Sequence, residues 1–372
     1  MKLILFFIGL LAFLKSEGQY FKAKEIAINS FYRARVYLPD NYDKSKLNYP
    51  VVYVFDGQML FDVLVAICRY NWDVYPPFII VGIEQYKREQ ELIDQGENNL
   101  NGNDFFYNIL SLKLFPMIEK NYRINSIRVG VGHSHGGSFV LNAALNRKLF
   151  NAVIAISPTL WINKGLFLKS YPLDNSSWSG IKKFYCAYGE YDFPIIQKDV
   201  DSLFQKRSTK MLHQKDIFKD EDHNSAIFMG IRKGIEFIFQ DFYLNEEKWD
   251  SIEELHNDSL FYSHFRQLSS FWEEEIIPGE DDYNSLGYYY MEDEDWEKAE
   301  KILKEALDYY PFSANLYDSF GELLENQQKS KEAKRYYLKA LKLAHKDKEM
   351  KLMIPIYEEH VKRIKTKLSA KS

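Results

Sequence analysis

The chain has 372 residues, 46% of them hydrophobic and 16% aromatic, with a formal net charge of −5. This length exceeds one average domain, and the aromatic content excludes a largely disordered chain. The basic residues form no long single-sign run, which argues against a nucleic-acid partner.

The chain opens with Met1-Lys2, an apolar run from Leu3 to Leu14, and then Lys15-Ser16-Glu17-Gly18-Gln19. The pattern predicts a signal peptide over residues 1–18, with small residues suited to cleavage before Gln19. The run is short for a bilayer span, and no second stretch reaches spanning length. The expectation is an exported protein, periplasmic or secreted, with no stable membrane span. No cysteine follows the run, so lipid attachment there is unsupported. Cys68 and Cys186 are the two cysteines, both within apolar segments. Buried free thiols are the preferred reading, with pairing open because sequence does not fix their separation.

Between Phe31 and about Phe242, short apolar runs alternate with helical patterns. The runs are 35–38, 51–55, 78–83, 127–131, 152–156 and 184–188. Several are apolar at consecutive positions, as strands covered on both faces require. Helices are predicted over Phe105–Lys120 and His135–Asn146. Such alternation implies an α/β fold with a mostly parallel central sheet.

Ser134 lies in Gly132-His133-Ser134-His135-Gly136-Gly137, between the predicted strand 127–131 and the helix that follows. A G-x-S-x-G nucleophile needs this strand–turn–helix setting, because the serine sits on a sharp turn with no room for neighbouring side chains. Gly132 and Gly136 meet that demand, and Gly137 adds a second place for close helix packing.

A serine hydroxyl needs a histidine base, and the base needs an orienting carboxylate. In this fold they follow in the order serine, acid, histidine. Asp192 and His223 fit. His223 lies in the polar loop Lys219–Ser225, after a β-type segment around Ile217-Phe218. His213 is a weaker candidate, expected before that strand. Asp192 ends Gly189-Glu190-Tyr191-Asp192, beyond the predicted strand 184–188; Glu190 is the alternative acid. The oxyanion donors are expected at the amide of His135 and, after the strand 51–55, at Gln58. Asp56-Gly57 is read as a turn pair. His133 and Trp161 are placed in the substrate pocket, and no metal site or cofactor is expected, since two histidines without thiols or clustered carboxylates are weak ligand evidence.

Beyond about Asn245 the sequence becomes charged and helix-forming. A 34-residue self-similarity appears there: Gly287 recurs as Gly321, Ala299 as Ala333, Ala306 as Ala340 and Leu303 as Tyr337. The pattern resembles the tetratricopeptide repeat, in which small residues let antiparallel helices approach closely. Helices over Ser251–Trp272 and Lys351–Lys367 are expected to cap it. The predicted layout is a signal peptide (1–18), an α/β-hydrolase domain (19–245) and an all-α tetratricopeptide-like region (246–372).

Taken together, Val36–Pro39, Tyr49–Gly57, Val81–Ile83, Gly132–Gly137, Ile156–Trp161 and Asp222-His223 resemble the putative-esterase branch of the α/β hydrolases. That branch includes enterobactin-type and esterase D-like enzymes. The resemblance implies a serine esterase with Ser134 and His223 in the triad and Asp192 at the acid position. It also implies a pocket role for Arg88, with a divergent stretch Glu91-Leu92-Ile93-Asp94-Gln95 at the pocket rim. The expected substrate is a siderophore or a small or glycan-linked ester, with a protein partner conceivable at the repeats. The competing reading is a non-catalytic, hydrolase-like binding protein whose repeats recruit a partner.

Overall fold

A computed structural model describes residues 23–70, 75–93, 102–161, 178–206, 211–347 and 349–370. The expected signal peptide and two residues of the divergent rim stretch, Asp94 and Gln95, fall outside the described residues. Among those described, eight strands form one sheet: β1 (Ala23–Ala27), β2 (Arg33–Tyr37), β3 (Tyr49–Phe55), β4 (Ile79–Ile83), β5 (Ile124–His133), β6 (Ala152–Ile156), β7 (Lys183–Gly189) and β8 (Leu212–Phe218). Their order is β1-β2-β4-β3-β5-β6-β7-β8. From β4 to β8 all neighbours are parallel, whereas β1 and β2 join antiparallel at one edge. His213 lies within β8 and not before it as expected.

The consecutive apolar runs reflect a sheet buried on both faces. In β3, Val52 and Val54 pack into one core, while Val51, Tyr53 and Phe55 enter the other, the two-residue alternation of a pleated strand. One face is covered by α1 (Gly57–Tyr70) and, further along the chain, by the helix Ala226–Phe239. On that helix Gly230 and Gly234 leave room for Ile156 and Ile154 of β6. Substituting any of the fully buried aliphatic residues by alanine is expected to cost about 2–5 kcal/mol.

On the opposite face, the helix predicted over Phe105–Lys120 is broken into α3 (Gly102–Ile109), a π-helical turn (Leu110–Leu114) and α4 (Phe115–Asn121). Pro116 in the first turn of α4 has no N–H to continue the ladder, which accounts for the widened turn before it. After a short helix α2 (Arg88–Leu92), that layer is completed by α5 (His135–Arg147) and α6 (Pro194–Lys206), with α7 (Ala226–Phe239) on the first face.

Among the described residues seven further α-helices follow: α8 (Glu246–Glu254), α9 (Ser259–Trp272), α10 (Glu280–Glu292), α11 (Trp296–Tyr309), α12 (Ala314–Asn326), α13 (Ser330–Ala344) and α14 (Ile354–Ser369). The helix expected over Ser251–Trp272 is therefore two helices. His256 in the left-handed region (φ 45°) and the Asn257 side chain, which accepts from Ser259 N and Oγ, end one and start the next. In the repeated segment, a Cβ at Gly287 would come within 2.7 Å of Leu303, and one at Gly321 within 2.7 Å of Tyr337. Ala299, Ala306, Ala333 and Ala340 are all buried.

The helical region is packed onto the sheet. A single core continues from Val54 and Ile154 through Phe237, Phe242 and Leu244 to Ile252, Phe265, Trp272 and Leu286. Polar links cross the same seam: Leu244 N donates to Asp282 Oδ1 (3.2 Å), Tyr243 OH to the Tyr75 carbonyl (3.1 Å) and Ser126 N to Glu274 Oε2 (2.8 Å). Cys68 and Cys186 are free thiols. No helix among the described residues is long and apolar enough to cross a membrane.

Candidate active site

β5 ends at His133 and α5 begins at His135, so Ser134 occupies the turn between them, with φ 57° and ψ −119°. A residue with a side chain is strained there and persists only where its surroundings fix it. Ser134 N donates to the Ile156 carbonyl of β6 (2.9 Å), and its carbonyl accepts from Ser138 N (3.2 Å) and Thr159 N (3.3 Å). A Cβ at Gly132 would collide with the Gly136 backbone, and one at Gly137 would lie 3.1 Å from the carbonyls of Gly132 and Ile156. Gly136 is different from the expectation. Its nearest neighbour would be Asp56 Oδ2 at 3.4 Å, an ordinary contact, so the tight positions are Gly132 and Gly137.

The loops after β7 and β8 bring the remaining groups to this turn. His223 Nε2 is 3.1 Å from Ser134 Oγ, and His223 Nδ1 is 2.9 Å from Asp192 Oδ1. With the proton on Nδ1, the ring donates to Asp192 and accepts from the serine hydroxyl. Asp192 is buried. Burial alone would raise its carboxyl, but hydrogen bonds from His223, Ser157 and Phe193 N outweigh it and hold the group below the usual carboxylate range. Asp192 Oδ1 also accepts from Phe193 N at 2.8 Å, whereas neither Ser157 Oγ nor Asp192 Oδ2 has a partner of standard hydrogen-bond geometry. The His223 and Phe193 N bonds to Oδ1 are the two with standard geometry.

Glu190, the alternative acid, does something else. Its Oε2 accepts from Asp220 N (3.1 Å), and Glu190 N donates to the Phe218 carbonyl (2.8 Å), tying the loop after β7 to the loop that bears His223. Gly189 lies against the Glu221 backbone so closely that a Cβ would collide with it. Asp222 fixes the other side of the histidine, accepting from Asn224 N and Ser225 N (both 2.8 Å) at the start of α7.

The two histidines flanking the serine have distinct environments. His133 is buried, its Nε2 lies 2.7 Å from the His223 carbonyl, and its ring stands 4.7 Å from that of His223. Burial pushes its pKa down to about 4, so it is neutral at physiological pH and its Nε2 donates to that carbonyl. It thus backs the His223 loop and does not form the open pocket wall expected of it. His135 Nδ1 is 2.7 Å from Thr159 Oγ1, and its pKa is lowered by burial and then by Arg88. Trp161 and the exposed Phe193 meet edge to face at 6.4 Å, with Phe193 5.2 Å from His223, giving an aromatic edge beside the base.

Gln58 and His135 are early residues of α1 and α5 respectively. First-turn amides have no partner within their helix, and neither of these N–H groups donates to an acceptor among the described residues. Two helix N-termini thus present free donors where positive dipole ends favour a developing anion. Arg88 does not stand free in a pocket. Its Nε and Nη2 bind Asp56 Oδ1 (2.6 Å) and Oδ2 (2.8 Å), and Gln85 Oε1 accepts from Asp56 N (2.6 Å). Asp56 is buried with φ 54°. From the sequence, Asp56 reads only as a turn residue and Ser157–Trp161 as a pocket wall, while Gln85 and Phe193 carry no signal. Asp-Gly turns are too common to signal an ion pair 32 residues away. No cluster of histidine, cysteine and carboxylate side chains suited to a metal occurs among the described residues.

Residues 26–307 match the family model described as "Putative esterase". The chain belongs to this family. The esterase accordingly hydrolyses ester bonds. Among solved structures, an IroE-like serine hydrolase from Shewanella oneidensis superimposes with a TM-score of 0.60 at 20% identity, covering 78% of this chain and 99% of that one. An uncharacterised protein from Capnocytophaga ochracea also gives 0.60, at 16% identity, covering 93% of this chain and 99% of its own. At these identities the likeness is one of fold, and in the second case it takes in most of the esterase's length. No curated protein matches the sequence.

Proposed function

We propose that the esterase is an exported serine hydrolase with a Ser134–His223–Asp192 triad, cleaving a carboxylic ester of a siderophore or of a small or glycan-linked molecule. The observation that carries this reading is the unbroken chain from Ser134 Oγ through the His223 ring to the buried Asp192. Ser134 Oγ attacks the ester carbonyl while His223 Nε2 takes its proton. The amides of Gln58 and His135 receive the oxyanion. The C–O bond to the alcohol then breaks as His223 returns the proton to the leaving oxygen, leaving an acyl-serine. Water, deprotonated by His223, attacks that ester; Ser134 leaves with the proton and the acid is released.

In the same proposal, residues 19–245 form the hydrolase domain and residues 246–372 a tetratricopeptide-like region. The 34-residue recurrence of small residues against large ones supports that reading, and the region would offer a surface to a protein partner. The siderophore assignment is supported by the family resemblance of the motifs.

A fluorophosphonate probe should label the wild-type protein and not Ser134→Ala, and a panel of acetyl, butyryl, feruloyl and catecholate-siderophore esters should show turnover lost in the same variant. Labelling that persists in Ser134→Ala would remove Ser134 as the nucleophile.

A further inference from the structure

We propose that Arg88 is a positioning residue that keeps the Asp56 carboxylate away from the oxyanion donors and neutralises its charge beside them. This deepens the serine-esterase reading and rests on it.

Asp56 directly precedes α1, the position from which an aspartate ordinarily accepts the N–H of the second or third helical residue. The second residue here is Gln58, whose amide is the proposed donor. The carboxylate instead lies beside α5, with Oδ2 3.4 Å from the point where a Gly136 Cβ would stand. Left to itself, it would compete for the donors or oppose negative charge forming on the substrate. Two negative charges repel, and that repulsion works against what the oxyanion donors supply.

The bidentate Arg88 bond occupies both carboxylate oxygens, at 2.6 and 2.8 Å, in the fork geometry that lysine does not reproduce. The backbone is pinned as well. Gln85 accepts from Asp56 N, and Gly57 has no room for a Cβ, which would lie 2.6 Å from Ile83 N. The start of α2, which carries Arg88, is itself anchored: the buried Glu91 accepts from Lys87 N (2.6 Å) and from Tyr32 OH (2.8 Å). The 3.4 Å approach of Asp56 Oδ2 to the Gly136 Cβ position sets the pair beside the serine turn.

The test is steady-state kinetics on an uncharged ester such as p-nitrophenyl butyrate, using full-length wild type, Arg88→Met, Arg88→Lys and Asp56→Asn/Arg88→Met, with melting temperature measured alongside. Arg88→Met should lose about a hundredfold in kcat with little change in KM, comparable to losing one oxyanion donor. Arg88→Lys should fall between it and wild type. The double variant should regain about tenfold over Arg88→Met, because the opposing charge is gone. Should Arg88→Met fail to fold, Arg88→Lys and the double variant carry the comparison. A double variant no faster than Arg88→Met, or a loss confined to KM, would overturn the proposal and make Arg88 a substrate contact. A wild-type protein that neither turns over the ester nor takes the fluorophosphonate would remove the serine-esterase reading, and this inference with it.

Discussion

The carboxyl end of the sheet and the helical region behind it are held together in opposite ways. At the sheet end, strained backbone at Asp56, Ser134 and Ser157 is fixed by directional bonds, and single atoms matter. In the helical region, small residues accept large ones at repeated positions, and Gly287–Leu303 and Gly321–Tyr337 are the same contact made twice. The first arrangement specifies geometry, as chemistry demands; the second specifies only close approach, which packing can achieve with many side chains.

The largest test of that contrast lies at the sheet end. Asp192→Asn removes the group that fixes the His223 tautomer and should lower kcat by about 10³–10⁴-fold. Glu190→Gln, which keeps an acceptor for Asp220 N, should lose only a few-fold. Stopped or steady-state assays of the two variants decide between them, and the reverse ranking would make Glu190 the acid.

Next comes the seam. Since one core runs from the sheet into the helices, truncation after Phe242 should expose Phe237, Phe239 and Phe242, lowering the melting temperature and promoting aggregation. An unchanged melting temperature and activity would mark the helices as an independent module.

A matched pair of glycine-to-alanine substitutions sharpens the comparison further. At Gly189 the obstacle is the Glu221 backbone, which carries the His223 loop, so Gly189→Ala should cost about 2–3 kcal/mol and also reduce kcat. At Gly321 the obstacle is the Tyr337 ring, so Gly321→Ala should cost about 1 kcal/mol, with activity retained. Thermal melts and kinetics on both variants measure the two effects.

A further effect is a pH dependence at the seam. Burial pushes the Asp282 carboxyl up to about 7, even though it accepts from Leu244 N. Its folded-state value lies above the unfolded one of about 4, so the native state resists ionisation. Stability should therefore be highest below about pH 4 on this account, fall as the pH rises to 7, and level off above. The rise from about 4 to about 7 corresponds to a loss of about 4 kcal/mol. Asp282→Asn, which keeps the carbonyl acceptor, should flatten that slope in chemical denaturation measured across the range. An unaltered slope would assign it to other groups.

Much of this was legible in the chain itself. Apolar runs with no polar alternation could only be strands covered on both sides, so the parallel sheet followed from β3 to β7. The serine turn was readable because Gly132 and Ser134 sit between strand and helix signals. The hairpin strand β1 was missed because it is short and largely exposed at an edge. The break at Leu110–Leu114 was also missed, because a Pro-containing helix retains its apolar period.

By itself, the sequence determined what depends on spacing and type along the chain: strand–helix alternation, the serine turn with its glycines, the chain order of the candidate serine, acid and histidine, and the 34-residue recurrence. The tertiary structure alone decided which carboxylate meets His223, that Arg88 is spent on Asp56, that His133 backs the base, and that the helices share the sheet's core. These are contacts between residues dozens of positions apart. Sequence periodicity records local backbone geometry, but how distant loops converge is fixed only when the whole sheet and its packing set their positions.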